Sequence, residues 1–467
     1  MSRVHVDVVV VGGELCGLAA GALLALAGKT VLVVDDHDEV ARPLGDRQVP
    51  VAPSFWKLPA SGPAAGLFDA LAQKADARRL LGEPYGVGVV DDPDLRCVLP
   101  AAPDALAREM ARAFGDVTAK AIVRAFDDVD VERRSPLLTE LAHLHEDGWF
   151  FQARRAAGRV RALGAVADVD VDATIAGLGA GPLAPVLAQL APFVQSRADA
   201  SAAGLAGLWA AAAVDGGASP GGALGPRAVL RELLLSFIAK HKGEVRSGRV
   251  ARIEVTGKKV SLLGVEHATK GHSEVVASAV VDATSRRDFV DRLPASRARD
   301  KMLAQQGRVV RAAHATSVRW LVPMRVLPRG LPPLLLKLEA QAAPFLCGLY
   351  MGLPLGDRSH VDEQLIAVVA SAFDADAEGL RARLAQLLPF AESAVRHHDV
   401  VDASAVFTHY RVVASEHALG GRRPRTALKN VVRAGRDLAP VFGVDGELVA
   451  ARAVVALVER QLPRVAP

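Results

Sequence analysis

Asp7-Val8-Val9-Val10-Val11 is an unbroken β-branched run near the start of the chain. It is too short for a helix and has no polar face, so it predicts a strand buried on both sides in a parallel sheet. Gly12-Gly13 interrupts the run, and the Ala/Leu-rich stretch from Leu15 to Ala27 predicts a helix that Gly28-Lys29 ends. Thr30-Val31-Leu32-Val33-Val34-Asp35 predicts a second buried strand. Strand, turn, helix and strand make a βαβ unit closed by an acid.

The same alternation returns downstream. Ser219-Pro220-Gly221-Gly222 is a turn leading into an amphipathic helix that runs to His241. Gly243–Arg246 and Gly248–Val255 read as two short strands, Lys259–Leu263 as another, and Ser278–Thr284 as a buried one. Between about residues 76 and 214, Ala and Leu recur at helical spacing, as in Asp104–Phe114. Ser317–Val322 reads as a strand, and so does the stretch from Thr426 to Gly435. Leu448 to about Leu462 predicts the last helix, with a helix N-terminus at Val444–Glu447 whose N–H groups suit an electron-rich ring edge.

The fold class is therefore α/β, with strands and helices alternating at both ends of the chain. At 467 residues the chain exceeds what one core supports, so two domains are expected. One is a discontinuous Rossmann-type FAD/NAD(P)-binding domain of residues 1–75, 215–290 and 425–467, with the first strand central. The other, residues 76–214 and 291–424, is an α+β domain with no catalytic signature of its own, and a substrate domain only by family resemblance.

The first turn carries the candidate chemistry. A glycine turn brings backbone N–H groups and a helix N-terminus to a pyrophosphate, and Asp35 is placed to accept hydrogen bonds from a ribose. In the pattern G-x-G-x-x-G, Gly12 and Gly17 are present, and the middle glycine is replaced by Glu14. That position is glycine so that the backbone can approach the phosphates, whereas a carboxylate adds bulk and like charge. If Glu14 alone excludes a diphosphate, Glu14→Gly restores the site. An ordinary βαβ unit without a nucleotide is the plain alternative.

Composition narrows the picture without naming a reaction. The net charge of +4 comes from scattered Lys and Arg, which reads as a solvated face and excludes a nucleic-acid stripe. It leaves a peripheral contact with an anionic membrane surface open. Cys16, Cys97 and Cys347 lie far apart and read as reduced residues of a cytoplasmic protein. No apolar run reaches the ~18–20 residues of a membrane span. His143-Leu144-His145 and His397-His398-Asp399 have no ligand geometry that outweighs a surface reading, so no metal is expected. Leu331–Leu336 and Ala343–Gly352 are apolar stretches that read as a buried strand pair, with the lining of an apolar tunnel or a membrane-facing surface as the alternative.

The order of these pieces resembles the phytoene desaturase-like branch of the FAD-dependent amine-oxidase superfamily. Three segments carry it: the N-terminal βαβ unit, the Pro-Gly-Gly-Ala-Leu-Gly helix leading into GEVRSGRVARIEV, and LKNVVRAGRDLAPVFGVDGE near the end. The resemblance implies FAD bound at Gly12, Gly13, Glu14, Leu15, Gly17 and Asp35. It puts the Val250 backbone beside the adenine, and Gly435, Asp437 and Val444 beside the ribityl chain and flavin. The family's Gly-Gly-Arg is replaced by Leu44-Gly45-Asp46-Arg47, so Arg47 is its counterpart. The implied activity is an FAD-dependent oxidoreductase acting on an apolar, isoprenoid-like small molecule, with hydride chemistry on the flavin and no assigned catalytic acid or base. Glu14 and the missing Gly-Gly-Arg both fall on the phosphate-binding end. They support an alternative in which the same fold, as in the related Rab escort and GDP-dissociation-inhibitor proteins, binds a lipid or a protein without flavin.

Overall fold

In the computed structural model β1 (Ser2–Val11) lies between β2 (Val31–Asp35) and β9 (Gly271–Asp282) and runs parallel to both. The structure describes residues 2–129, 184–194 and 223–462, apart from short stretches at 36–39, 55, 57, 59–61, 83–85, 92–94, 100–102, 268–270, 285–287, 340–341, 356–363, 405 and 413–421. Pro220-Gly221-Gly222 and the His143–Asp147 segment therefore lie outside the described residues. Val8 and Val10 pack with Leu18, Leu24 and Val454 on one face of the sheet. Val9 and Val11 pack with Val250, Val265 and Phe289 on the other. Alternating side chains thus reach two apolar cores, as a strand without a polar face requires.

β7 (Gly243–Thr256) pairs in parallel with β2 as far as Ser247, then pairs antiparallel with β8 (Lys259–His267) from Gly248 onward. The sequence reading divides this segment into two strands; the chain runs on as one and changes partner. A Cβ on Gly248 would stand 2.3 Å from the Glu266 carbonyl oxygen, so glycine lets the new partner close in. β18 (Val431–Arg433) joins the far side of β9, also in parallel. The parallel part of the sheet therefore runs β7-β2-β1-β9-β18.

The helix Leu15–Leu26 packs between the helices Pro226–Lys240 and Gly443–Glu459 over the Val8 and Val10 face. The last helix starts earlier than the predicted Leu448. Gly443 takes φ +53°, which turns the chain directly from the short 3-10 segment Pro440–Phe442 into the helix.

A second sheet has the order β16 (His397–Asp402), β11 (Ala315–Pro323), β15 (Leu365–Phe373), β13 (Phe345–Tyr350), β12 (Leu334–Lys337), β5 (Val87–Asp91) and β6 (Leu95–Leu99). It is antiparallel except where β12 meets β5. Met110, Ile122 and Leu190, from three helices, cover Val89, Leu336 and Leu346 on one face. Leu380 and Leu384 of the helix Ala377–Leu387 cover Trp320 and Val368 on the other. The two apolar stretches of the sequence are here: Leu334–Leu336 and Phe345–Cys347 form an antiparallel, buried strand pair.

A small sheet of β3 (Ala41–Leu44), β4 (Arg47–Pro50) and β14 (Leu353–Pro354) joins the two regions, and β10 (Val309–Ala313) pairs with β17 (His409–Val412). Arg319 of β11, 1% exposed, donates to the carbonyls of Arg42, Pro43 and Val49 and pairs with Asp399 at 2.5 Å. Asp399 is thus committed to an ion pair, and His397 and His398 are exposed. Among the described residues there is no cluster suited to a metal ion, and no helix long and apolar enough to cross a membrane.

Candidate functional site

The turn after β1 is shaped by close backbone contact. Gly12 takes φ +94° and its N–H donates to the Val34 carbonyl at 2.8 Å. A Cβ at Gly12 would stand 2.4 Å from the Ala283 oxygen, and one at Gly17 would stand 2.2 Å from the Ala283 Cβ. These two glycines thus seat the first helix against the end of β9. Gly12, Gly13, Asp35 and Val250 line one cavity with Gly248 and Thr284, of about 50 Å³. The residues expected at the adenosine end therefore do converge. Asp35 is not left for a ribose alone, since Arg231 of the middle helix forms a buried ion pair with it. Leu15 turns into the helix core and lines neither cavity.

Glu14 is the N-cap residue of the first helix, but its side chain accepts no capping hydrogen bond. It reaches instead into a buried charge cluster. Its Oε2 is 3.2 Å from Arg227 Nη2 and 3.1 Å from Arg436 Nε. Both arginines also face Glu447. Arg227 grips it with two parallel bonds of 2.8 and 2.9 Å, and Arg436 Nε lies 3.5 Å away. Two carboxylates and two guanidiniums thus form a closed quartet, and all four residues are buried. Arg436 also donates to the Val406 carbonyl at 2.6 Å, which ties a loop of the second region onto the quartet.

The electrostatics follow from this packing. Burial would raise the Glu447 carboxyl, but Arg227 and Arg436 outweigh it and hold it below its ordinary value. Cys16, on the first helix beside them, is pushed well up by burial and then by Glu447, Asp437 and Glu14, so its thiol stays protonated.

A second cavity of about 40 Å³ is lined by Trp56, Phe193, Arg227, Phe407, Arg436 and Val444, among others. Val444 is in the first turn of the last helix and lines this cavity. Trp56 donates its indole N–H to Asp445 of the same helix at 2.8 Å. Asp437 is placed differently from the expectation. Its carboxylate is buried between Arg422 at 2.9 Å and Arg433 at 3.4 Å, with Gly435 packed beside it. Burial works against its charge, but Arg433 and Arg422 hold its carboxyl low. Arg47 also departs from its expected place: it sits on β4 and donates to the Met351 carbonyl at 2.5 Å, lining neither cavity.

The residues at the diphosphate position do not fit FAD as they stand: the carboxylates of Glu14 and Glu447 meet at the N-terminus of the first helix, already paired with Arg227 and Arg436. Arg227, Arg231, Arg436 and Glu447 escaped the sequence reading. The available signal was Glu14 itself: a carboxylate buried at a helix N-terminus needs cationic partners from elsewhere in the chain.

No protein-family model and no curated protein sequence matches the chain. Solved structures do. A Rab GDI from Plasmodium falciparum aligns over 98% of both chains with 11% identity and a TM-score of 0.52. A putrescine oxidase redesigned for cofactor binding aligns over 98% of this chain and 99% of its own, with 14% identity and a TM-score of 0.54. The fold is the one shared by GDI and the amine oxidases. An oxidoreductase from Methanosarcina mazei has it too, with 13% identity, coverage of 96% and 100%, and a TM-score of 0.51. At these identities the likeness is one of fold, and function rests on the site.

Proposed function

We propose that the chain is a flavin-free member of this fold that works by binding an apolar ligand or a protein. The observation that supports it is the buried Glu14–Arg227–Glu447–Arg436 quartet, which fills the diphosphate position with the chain's own carboxylates. The Rab GDI that shares the fold gives a binding role its precedent. The visible spectrum of the purified protein tests the reading. A colourless preparation that releases no FAD on denaturation, and that added FAD does not turn yellow, is expected. A yellow preparation that releases FAD overturns it.

A second reading, an FAD-dependent oxidoreductase acting on an isoprenoid-like substrate, is favoured by one specific observation. Gly12, Gly13, Asp35 and Val250 keep their common cavity, and putrescine oxidase shares the fold. This reading requires the carboxylates of Glu14 and Glu447 to make way for a diphosphate, and the same spectrum decides it.

A further inference from the structure

Resting on the flavin-free reading, we propose that Glu14 and Glu447 act jointly as an internal counter-anion in place of a diphosphate. An external dianion enters only when both carboxylates are removed. Three helices contribute residues from near their N-terminal ends to the quartet. Glu14 is the N-cap residue of the helix Leu15–Leu26, Arg227 is in the first turn of Pro226–Lys240, and Glu447 is the fifth residue of Gly443–Glu459. Helix N-termini carry partial positive charge and favour anions. Arg227 and Arg436 add two full positive charges in a buried place. Such a position needs about two negative charges, from a bound dianion or from the chain itself.

The two glutamates divide the task. Arg227 commits its fork to Glu447 at 2.8 and 2.9 Å, while Arg436 Nε lies closer to Glu14, at 3.1 Å, than to Glu447, at 3.5 Å. Removing Glu14 alone therefore leaves a carboxylate gripped by Arg227 and facing any incoming phosphate. On this proposal Glu14→Gly by itself does not restore the site. The sequence showed Glu14 and the missing Gly-Gly-Arg, and the structure adds a carboxylate from the last helix.

Thermal unfolding of the full-length protein with increasing inorganic pyrophosphate tests the proposal, with sodium chloride at matched ionic strength as the control. The wild type and Glu14→Gly should show the same midpoint in both salts. The Glu14→Gly, Glu447→Ala double variant should melt lower in chloride and rise by several degrees as pyrophosphate saturates it, because a ligand that binds only the folded state stabilises it. Adding Arg436→Met should abolish that rise. If the double variant does not fold in chloride, recovery of folded protein in pyrophosphate is the readout, and no recovery overturns the proposal. Glu14→Gly gaining as much as the double variant also overturns it, as does a folded double variant indifferent to pyrophosphate. These outcomes leave a colourless wild type colourless, so they overturn the counter-anion and spare the flavin-free reading. FAD released from the wild type overturns both.

Discussion

Gly12 and Glu14 are neighbours in one turn and answer to different constraints. Gly12 is fixed by the backbone: its φ is +94° and Ala283 leaves no room for a Cβ. Glu14 is fixed by charge, through arginines brought from the middle helix and the C-terminal segment. The corner around Gly12 keeps the shape of a nucleotide-binding turn because the same contacts join β1, the first helix and β9. The centre around Glu14 is held by charge, through side chains drawn from three parts of the chain. On the counter-anion proposal its occupant is the chain's own carboxylates in place of an external anion. A glycine pattern is therefore evidence for the fold, and the residue between the glycines is evidence for the ligand.

The largest effect should come from breaking the charge balance at the centre. Arg436→Ala leaves two buried carboxylates facing one guanidinium and should cost about 3–5 kcal/mol, the usual range for orphaning a buried charge. Urea unfolding measures it. Removing a balanced pair, Glu14→Leu with Arg436→Met, should recover most of that loss, because the remaining Arg227–Glu447 fork is self-sufficient. A pair variant as unstable as Arg436→Ala would mean that packing, and not charge, governs the centre.

Glu447 of the quartet and Asp437 beside it set the acid limit. Glu447 is held below its ordinary value of 4.5, and Asp437 below its ordinary 3.8. A carboxyl lowered on folding contributes stability that is present above its unfolded pKa and lost as pH falls through its folded one. Unfolding midpoints should therefore drop from about pH 4.5 downward. In Glu447→Gln the part of that slope due to Glu447 should disappear. An unchanged slope would remove Glu447 from the account.

At the corner, Gly12→Ala should cost about 1–3 kcal/mol for a residue held at positive φ, plus the clash with Ala283. It should do so without altering the acid slope, since Gly12 carries no charge. The smallest effect is expected at the rim of the same corner. Arg249 pairs with Glu266 at 2.9 Å with side chains 66% and 34% exposed, so Arg249→Ala should change stability by less than about 1 kcal/mol. A larger loss there would erase the contrast between a solvated ion pair and the buried quartet.

What the sequence determined by itself was local. The Val8–Val11 run, the Gly12 turn, the Ala/Leu helix and the Val31–Val34 run specify a βαβ unit, because burial and turn geometry are written in adjacent residues. The buried pair at Leu334–Leu336 and Phe345–Cys347 was legible for the same reason. The tertiary structure alone decided who faces Glu14. Arg227 and Arg436 lie 213 and 422 positions away in the chain, and no periodicity links them to it. It likewise placed Asp437 between Arg422 and Arg433, and Arg47 on the Met351 carbonyl. Charge pairing in a dry interior depends on which helix ends meet, and that is a property of the packed sheet.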